Sequence, residues 1–187
     1  FGANYYNGAL AQITRYDAGT GDSLGVINAV TNTNFDSSFT AKAICFDKND
    51  NKWIGLLNKA VMIQDNAGIW HNLNTLAVPN GIFPTGVVIN NNAITADDKG
   101  NVYIGTNRGL IVYTPDVSNA GVSPLDNINS YRRFTLKDGL PDTTIRAIAI
   151  DKERQGVWLA TDNGILLWRQ RGPERLISVT QIKAECP

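Results

Sequence analysis

The sequence predicts an all-β chain, a β-propeller segment of about four blades in which each blade is a four-stranded antiparallel meander. Three observations predict it. The phrase "AICFDKNDNKWIGLLNKAVMI" from Ala43 returns as "AITADDKGNVYIGTNRGLIVY" from Ala93 and as "AIAIDKERQGVWLATDNGILLW" from Ala147. The aromatics inside these phrases, Trp53, Tyr103 and Trp158, recur at intervals of 50 and 55 residues, a propeller-blade period and not that of an ankyrin or leucine-rich array. Apolar residues fall in short blocks bounded by Asp, Asn and Gly, many of them β-branched or aromatic, which is strand patterning.

The elements follow in order. Residues 1–35 read as a partial blade: "FGANYYNGALAQITRYD" matches the second and third strands of the later units, with Gly2 and Gly8 standing where Gly105 and Gly109 stand and a hairpin two residues longer. Its first strand is missing. Residues 36–91, 92–139 and 140–187 are the three repeated blades. In each, an acidic residue closes the first strand (Asp47, Asp97, Asp151) and an aromatic follows in the second; counting ten further from each aromatic gives Ile63, Tyr113 and Trp168. "DDKG" and "TNRG" are hairpin connections, because Asn, Asp and Gly tolerate the positive φ of tight turns. The fourth strands lie in "GIWHNL", "YRRFTL" and "RLISVTQI". One such sheet cannot bury both faces alone, so neighbours stack around an axis with the bulky aromatics filling the wedge between them. The whole chain, 1–187, is thus one propeller segment, and three blades plus most of a fourth suit a fragment of a larger ring better than a four-bladed ring short of one strand.

Composition bounds the function. The 187 residues carry 17 Lys+Arg against 17 Asp+Glu, a balance that points to neither nucleic acid nor an anionic membrane. No apolar run approaches the roughly 18 residues of a membrane helix. The start at "FGANYYNG", without an initiator Met, suggests a mature or excised piece. Cys45 and Cys186 are far apart in sequence and context, and read as one buried and one exposed thiol, not as a disulfide framework.

Candidates for chemistry are few. "DKNDNK" places Asp47, Asn49 and Asn51 at the first, third and fifth positions of a calcium loop, but Lys52 and Asn58 stand where Gly and a bidentate Glu are needed. A polar turn explains the same residues. "DAGTGD" (Asp17 to Asp22) is loop-like in the same way. The sole histidine, His71, is expected on the solvent face of an outer strand, and with few His and Cys no transition-metal site is expected. No catalytic residue, metal or other cofactor is expected. The repeating Asp reads as an Asx-type turn that satisfies backbone N–H groups, and the recurring aromatics read as core in preference to a sugar-stacking platform.

Recognition is better sought in loops on a rigid scaffold. The tips of "TNRG" and "TDNG" supply Asn107, Arg108, Asp162 and Asn163 as candidate ligand contacts. Two longer connections break the repeat, 114–130 and 74–91. The second carries Ile82, Phe83, Val87 and Val88, either a partner interface or a loop that covers a blade. Unpaired blade edges make a homodimer that joins two partial rings a plausible partner arrangement.

The stretch "LKDGLPDTTIRAIAIDKERQGVWLATDNGILLW" also resembles the two-component-regulator propeller repeat found in Bacteroidota, whose pattern is Gly-Leu-Pro, an apolar strand ending in Asp, then Trp-Ile-Gly-Thr and Gly-Leu. Here these are Gly139, Leu140, Pro141, Asp151, Trp158, Thr161, Gly164 and Ile165. The second repeat keeps Ile104, Gly105, Thr106, Gly109 and Leu110. The first departs, with Leu56 for Thr and Lys59 for Gly, and its hairpin is expected to be wider. The resemblance covers about residues 40–170. It implies a non-enzymatic, extracytoplasmic module (periplasmic, on the outer-membrane surface or secreted) for ligand sensing or carbohydrate recognition, or else a PorZ-like surface scaffold of type IX secretion whose partner is a protein or a surface glycan. A propeller lyase or hydrolase is the weakest of the readings.

Overall fold

The computed structural model describes residues 2–4, 12–17, 19–28, 41–56, 61–73, 82–84, 86–169 and 180–182. Their strands form four antiparallel meanders, one three-stranded and three four-stranded. Two compact units contain them, residues 1–41 and 42–187.

The smaller unit holds the first sheet: β1 (Gly2–Asn4), β2 (Gln12–Tyr16) and β3 (Ser23–Asn28), in that order. Gly2 pairs with Thr14 and Gln12 with Asn28. The turn from β2 to β3 is held by the Asp17 carboxylate, which accepts the N–H groups of Gly19 and Thr20 at 2.8 and 2.9 Å. "DAGTGD" is therefore an Asx turn.

The larger unit stacks three sheets. The second sheet is β4 (Ala41–Phe46), β5 (Lys52–Leu56), β6 (Val61–Gln64) and β7 (Trp70–Asn72). The third is β8 (Ile89–Ala96), β9 (Val102–Thr106), β10 (Gly109–Tyr113) and β11 (Tyr131–Phe134). The fourth is β12 (Ile145–Asp151), β13 (Gly156–Thr161), β14 (Gly164–Trp168) and β15 (Thr180–Ile182). In every case spatial order equals chain order, the blade meander that the repeats predict.

Two cores hold the three sheets together. Trp53, Val61 and Ile63 of the second sheet pack on Val102, Ile104, Ile111 and Tyr113 of the third. The other face of the third sheet, Tyr103, Leu110, Val112 and Phe134, packs on Val157, Leu159, Leu166 and Trp168 of the fourth. Alternation along each strand makes this possible, since successive side chains point to opposite neighbours. Aromatic contacts repeat with the sheets: Trp53 meets Tyr113 at 4.7 Å between ring centroids, and Tyr103 meets Trp168 edge-to-face at 5.6 Å.

The glycine two places after the aromatic in the first two repeats, Gly55 and Gly105, has a steric cause. A Cβ on Gly55 would lie 2.6 Å from Ile89 Cγ2, and one on Gly105 would lie 2.7 Å from Ile145 Cγ2. The first strand of the following sheet sits directly against these positions, which admit no side chain. β8 reaches there through a bulge between Ile89 and Ile94, with Asn92 at φ 57°. From that bulge Asn90 Nδ2 donates to the Ile145 carbonyl of β12 at 2.7 Å.

The threonine of the phrase latches its hairpin. Thr106 Oγ1 donates to the Gly109 carbonyl at 2.8 Å and accepts the Arg108 N–H at 2.9 Å. Thr161 does the same with Gly164 and Asn163. The two-residue turn is completed by Gly109 at φ 117°, a conformation open to glycine. In the second sheet Gly55 pairs with Val61, whereas in the third Gly105 pairs with Leu110. The first hairpin is thus one residue longer, as the loss of Thr and Gly leads one to expect.

That extra residue corrects one equivalence. Ile63 lies opposite Trp53, but Tyr113 and Trp168 lie opposite Val102 and Val157, one place earlier than the aromatics. Ile63 therefore points with Trp53 toward the following sheet, while Tyr113 and Trp168 point back toward the preceding one. All three are buried core, with exposures of 3% or less.

Candidate functional site

Each sheet has two ends. At one lie the turns that join its first two strands; at the other lie the hairpin tips that join its second and third.

At the turn end the repeating aspartate organises everything within reach. Asp47 Oδ1 accepts the N–H groups of Asn49 and Asn51 at 2.9 and 3.1 Å, and Oδ2 accepts Asn51 Nδ2 and Trp53 Nε1 at 2.8 and 2.9 Å. Asp97 repeats the set with Lys99, Asn101 and the Tyr103 hydroxyl. Asp151 accepts the Arg154 N–H, the Arg154 guanidinium and Trp158 Nε1. The Asx turn is present at Asp47 and Asp97, while Asp151 caps its turn from one residue further on, at the Arg154 N–H, and in all three the aromatic, core on one side, also donates to the carboxylate that precedes its strand. Sequence reasoning missed this bond. Its signal was an Asp-to-aromatic spacing of six, six and seven residues. Burial followed by the Asp97 charge pushes the Tyr103 hydroxyl well above its ordinary pKa. The Asp151 carboxyl is pulled down to about 2, chiefly by the Arg154 N–H, then by the Arg154 side chain, against an opposing effect of burial.

The four donors on Asp47 fill the lone pairs that a calcium ion would need. Among the described residues no group of three or more His, Cys, Asp or Glu is placed to hold a metal. Cys45 is a free thiol whose pKa is pushed up to about 12 by burial and by the Asp47 charge, which removes its nucleophilicity. Cys186 lies outside the described residues.

At the hairpin end the four candidate ligand contacts separate into two adjacent tips. Asn107 is half-buried and tied down: its Oδ1 accepts the Val88 N–H at 2.8 Å and its own N–H donates to the Val88 carbonyl at 3.1 Å. Arg108 beside it is exposed. On the next tip Asp162 holds Arg146 through two bonds, to Nε at 2.6 Å and NH2 at 2.8 Å. Asn163 is exposed and reaches the Pro141 carbonyl at 3.4 Å. Arg146, on β12, is a member of this polar surface that the sequence did not single out. The bond from Arg146, then its charge, draws the Asp162 pKa down.

The segment that carries Ile82, Phe83, Val87 and Val88 is placed by the same bonds. Phe83 and Val87 are buried in the core between the second and third sheets, and Ile82 packs against that core. Val88 is half-buried beside Asn107. Phe83 and Val87 are thus used inside the chain, in the covering position, and cannot meet a partner without opening that core.

His71 departs from expectation. It is buried, 8% exposed, not solvent-facing. Its Nδ1 lies 2.9 Å from Asp126 and its Nε2 lies 3.3 Å from Asp65. A buried imidazole needs such partners. Asp126 belongs to the long 114–130 connection, so the histidine clasps that connection to β7, with Leu125 and Tyr131 packed into the core beneath.

No protein-family model matches this sequence, and no curated protein does either. Solved structures do. The extracellular domain of the hybrid two-component system BT3049 from B. thetaiotaomicron matches 82% of this chain at 24% identity and TM-score 0.60. The Cps50 (Swd1) β-propeller domain of Myceliophteria thermophila matches 96% at 14% identity and TM-score 0.57. PorZ, a surface component of the type IX secretion system of Porphyromonas gingivalis, matches 80% at 18% identity and TM-score 0.52. These matches span 18%, 55% and 21% of the three structures. A luciferin-regenerating enzyme shares the fold at TM-score 0.53. Together with the stacked meanders, these likenesses establish the class: the described sheets are part of a β-propeller. Among the described residues no helix is long and apolar enough to cross a membrane.

Proposed function

We propose that the chain is a non-enzymatic recognition module of an exported bacterial protein, and that it contacts a carbohydrate ligand through the hairpin tips of consecutive blades. One observation carries this reading: equivalent tips of neighbouring sheets bring exposed Arg108 and Asn163 and the exposed Arg146–Asp162 pair to the same end of the stack. The carboxylates at the other end are engaged in holding turns. The likeness to an extracellular domain of a two-component system supports an extracytoplasmic setting and a sensing role.

Glycan-array binding of the whole chain, compared with a variant in which Asn107, Arg108, Asp162 and Asn163 are all alanine, tests it. Loss of most of the signal is expected. Unchanged binding removes these residues from the proposal.

The likeness to PorZ supports a second reading, a secretion-associated surface scaffold whose partner is a protein or a surface glycan. The full-length parent discriminates the two: a membrane helix and histidine kinase favour sensing, whereas a short sorting domain favours the scaffold. The presence of an enzyme among the propellers of this shape leaves a lyase or hydrolase as the weakest reading, because fold alone does not determine activity.

A further inference from the structure

We infer that His71 is a proton-operated clasp: its imidazolium form fastens the 114–130 connection at the junction between the second and third sheets, and the neutral ring lets that connection loosen. The ring is the only histidine of the chain. It stands on β7 opposite Ile63 of β6, so it shares the face that packs toward the third sheet.

Each ring nitrogen faces a carboxylate. Nδ1 lies 2.9 Å from both oxygens of Asp126, and Nε2 lies 3.3 Å from Oδ2 of Asp65. An imidazolium carries two N–H groups and supplies a donor to each side, whereas a neutral imidazole carries one and turns a lone pair toward the carboxylate it leaves. Two acceptors at opposite ends of one buried ring are therefore a site for the charged form. The carboxylate that yields when the proton goes is Asp126. It is 48% exposed and passes readily to water, while Asp65 is 19% exposed and its Oδ1 accepts the Ile69 N–H at 2.7 Å. The backbone bonds flanking Asp126 are local, from its own N–H to the Ser123 carbonyl and from the Asn127 N–H to the Pro124 carbonyl, so its carboxylate is the link to β7.

Beyond these two carboxylates, the junction holds Asp47, occupied by its four donors, Lys48, whose ammonium donates to the Lys99 carbonyl at 2.6 Å, and the hydroxyls of Tyr113 and Tyr131. Both hydroxyls are pushed well above their ordinary pKa, Tyr113 by burial and then the Asp47 charge, Tyr131 by burial and then the charges of Tyr113 and Asp126, and so stay neutral. Burial opposes the ionisation of Asp65, but the Ile69 N–H and then His71 outweigh it and draw the carboxyl down. Carboxylates ordinarily titrate near pH 4 and an imidazole between pH 5 and 8. The clasp is thus complete on the acid side of the imidazole interval, where the ring and both carboxylates are charged, and is lost as pH rises through it.

The test is the rate at which a nonspecific protease cuts within 116–123, where Val117 is 79% exposed, divided by the rate in His71→Gln at the same pH, which cancels the pH dependence of the protease. The ratio is expected to lie at least fivefold below one at pH 5.5 and to climb at least threefold by pH 8. Asp126→Asn, which keeps the shape of the side chain, should give a ratio that does not change with pH. The unmutated ¹⁵N-labelled chain supplies a readout that stands even where His71→Gln fails to fold: both ring nitrogens should carry a proton at pH 5.5, and the backbone amides of residues 123–127 should move with the midpoint of the ring. A ratio that is flat from pH 5.5 to 8 overturns the inference. So does a ring with a proton on one nitrogen alone at pH 5.5, or one that titrates without moving those amides. Glycan binding at the hairpin tips enters neither readout, so this inference and the proposed function fail separately.

Discussion

Asp47 is 6% exposed and accepts four donors, which makes it the residue on which the second sheet's first turn depends. Truncating it to alanine strands buried backbone and indole N–H groups. Such losses cost about 1–3 kcal/mol each when the partner stays buried. Asp47→Ala is expected to lower stability by about 3 kcal/mol in urea denaturation, and Trp53→Phe, which removes one donor and little volume, by about 1–2 kcal/mol. Equal small effects of both would show that the carboxylate is not the organiser. The third repeat adds a dependence on pH. Asp151 falls from an ordinary 3.8 to about 2 in the folded chain, so its contribution is complete above the unfolded value and is lost as pH falls from about 4 toward 2. Asp17, Asp65, Asp116 and Asp162 are shifted in the same direction. The urea midpoint should drop across that interval, and Asp151→Asn should flatten part of the drop. At this scale the sequence was half legible. An Asp before a turn announces an Asx motif, but its second partner depends on which way the aromatic ring turns after the hairpin closes.

Elements repeat more faithfully than residues, and the sheets show why the repeated phrase has its spelling. Its glycine admits the neighbouring sheet, its threonine ties the hairpin, and its aromatic reaches forward to the next blade. Gly105→Ala places a methyl 2.7 Å from Ile145 Cγ2 and 3.1 Å from Ala93 Cβ. Both belong to packed strands, so overpacking of about 1–3 kcal/mol is expected. The fourth sheet has Ala160 at the equivalent place, where Ala160→Gly should change stability by about 1 kcal/mol or less. A Gly105→Ala protein as stable as the parent would contradict the close approach. The strand order and the fourth strands were legible because periodicity and turn chemistry are local. The His71 clasp was not, since Asp126 lies 55 positions away and only the stacking of sheets brings it near. Asp126→Ala should leave the sheets intact and free the 114–130 connection, so cleavage by a nonspecific protease within 116–123 should accelerate several-fold. Unchanged cleavage would show that Leu125 and Tyr131 alone hold the connection.

For the molecule as a whole, the open face of the fourth sheet matters most. Ala147, Ala149, Trp158, Ala160 and Ile165 share one face by register, the counterpart of the face on the third sheet that Val157, Leu159 and Trp168 cover. On the fourth sheet Ala147 and Ala149 are exposed, and Ile165 is 48% exposed. Trp53 and Tyr103 each meet an aromatic of the following sheet, and Trp158 holds the same position with the same aspartate bond. The period of the sequence announced this stacking, but it could not say where the stack finds its cover, because every repeat reads alike whether or not another follows. An apolar blade face left open seeks a sheet to pack on. The chain by itself is therefore expected to associate through this face, with a weight-average mass in sedimentation equilibrium that rises toward a dimer as concentration increases. Ile165→Lys sets a charge in the middle of the face, away from both cores, and should return the chain to a monomer with its unfolding midpoint nearly unchanged. A parent chain that stays monomeric across the whole concentration range would mean that the fourth sheet ends the stack and that Trp158 finishes it as a cap.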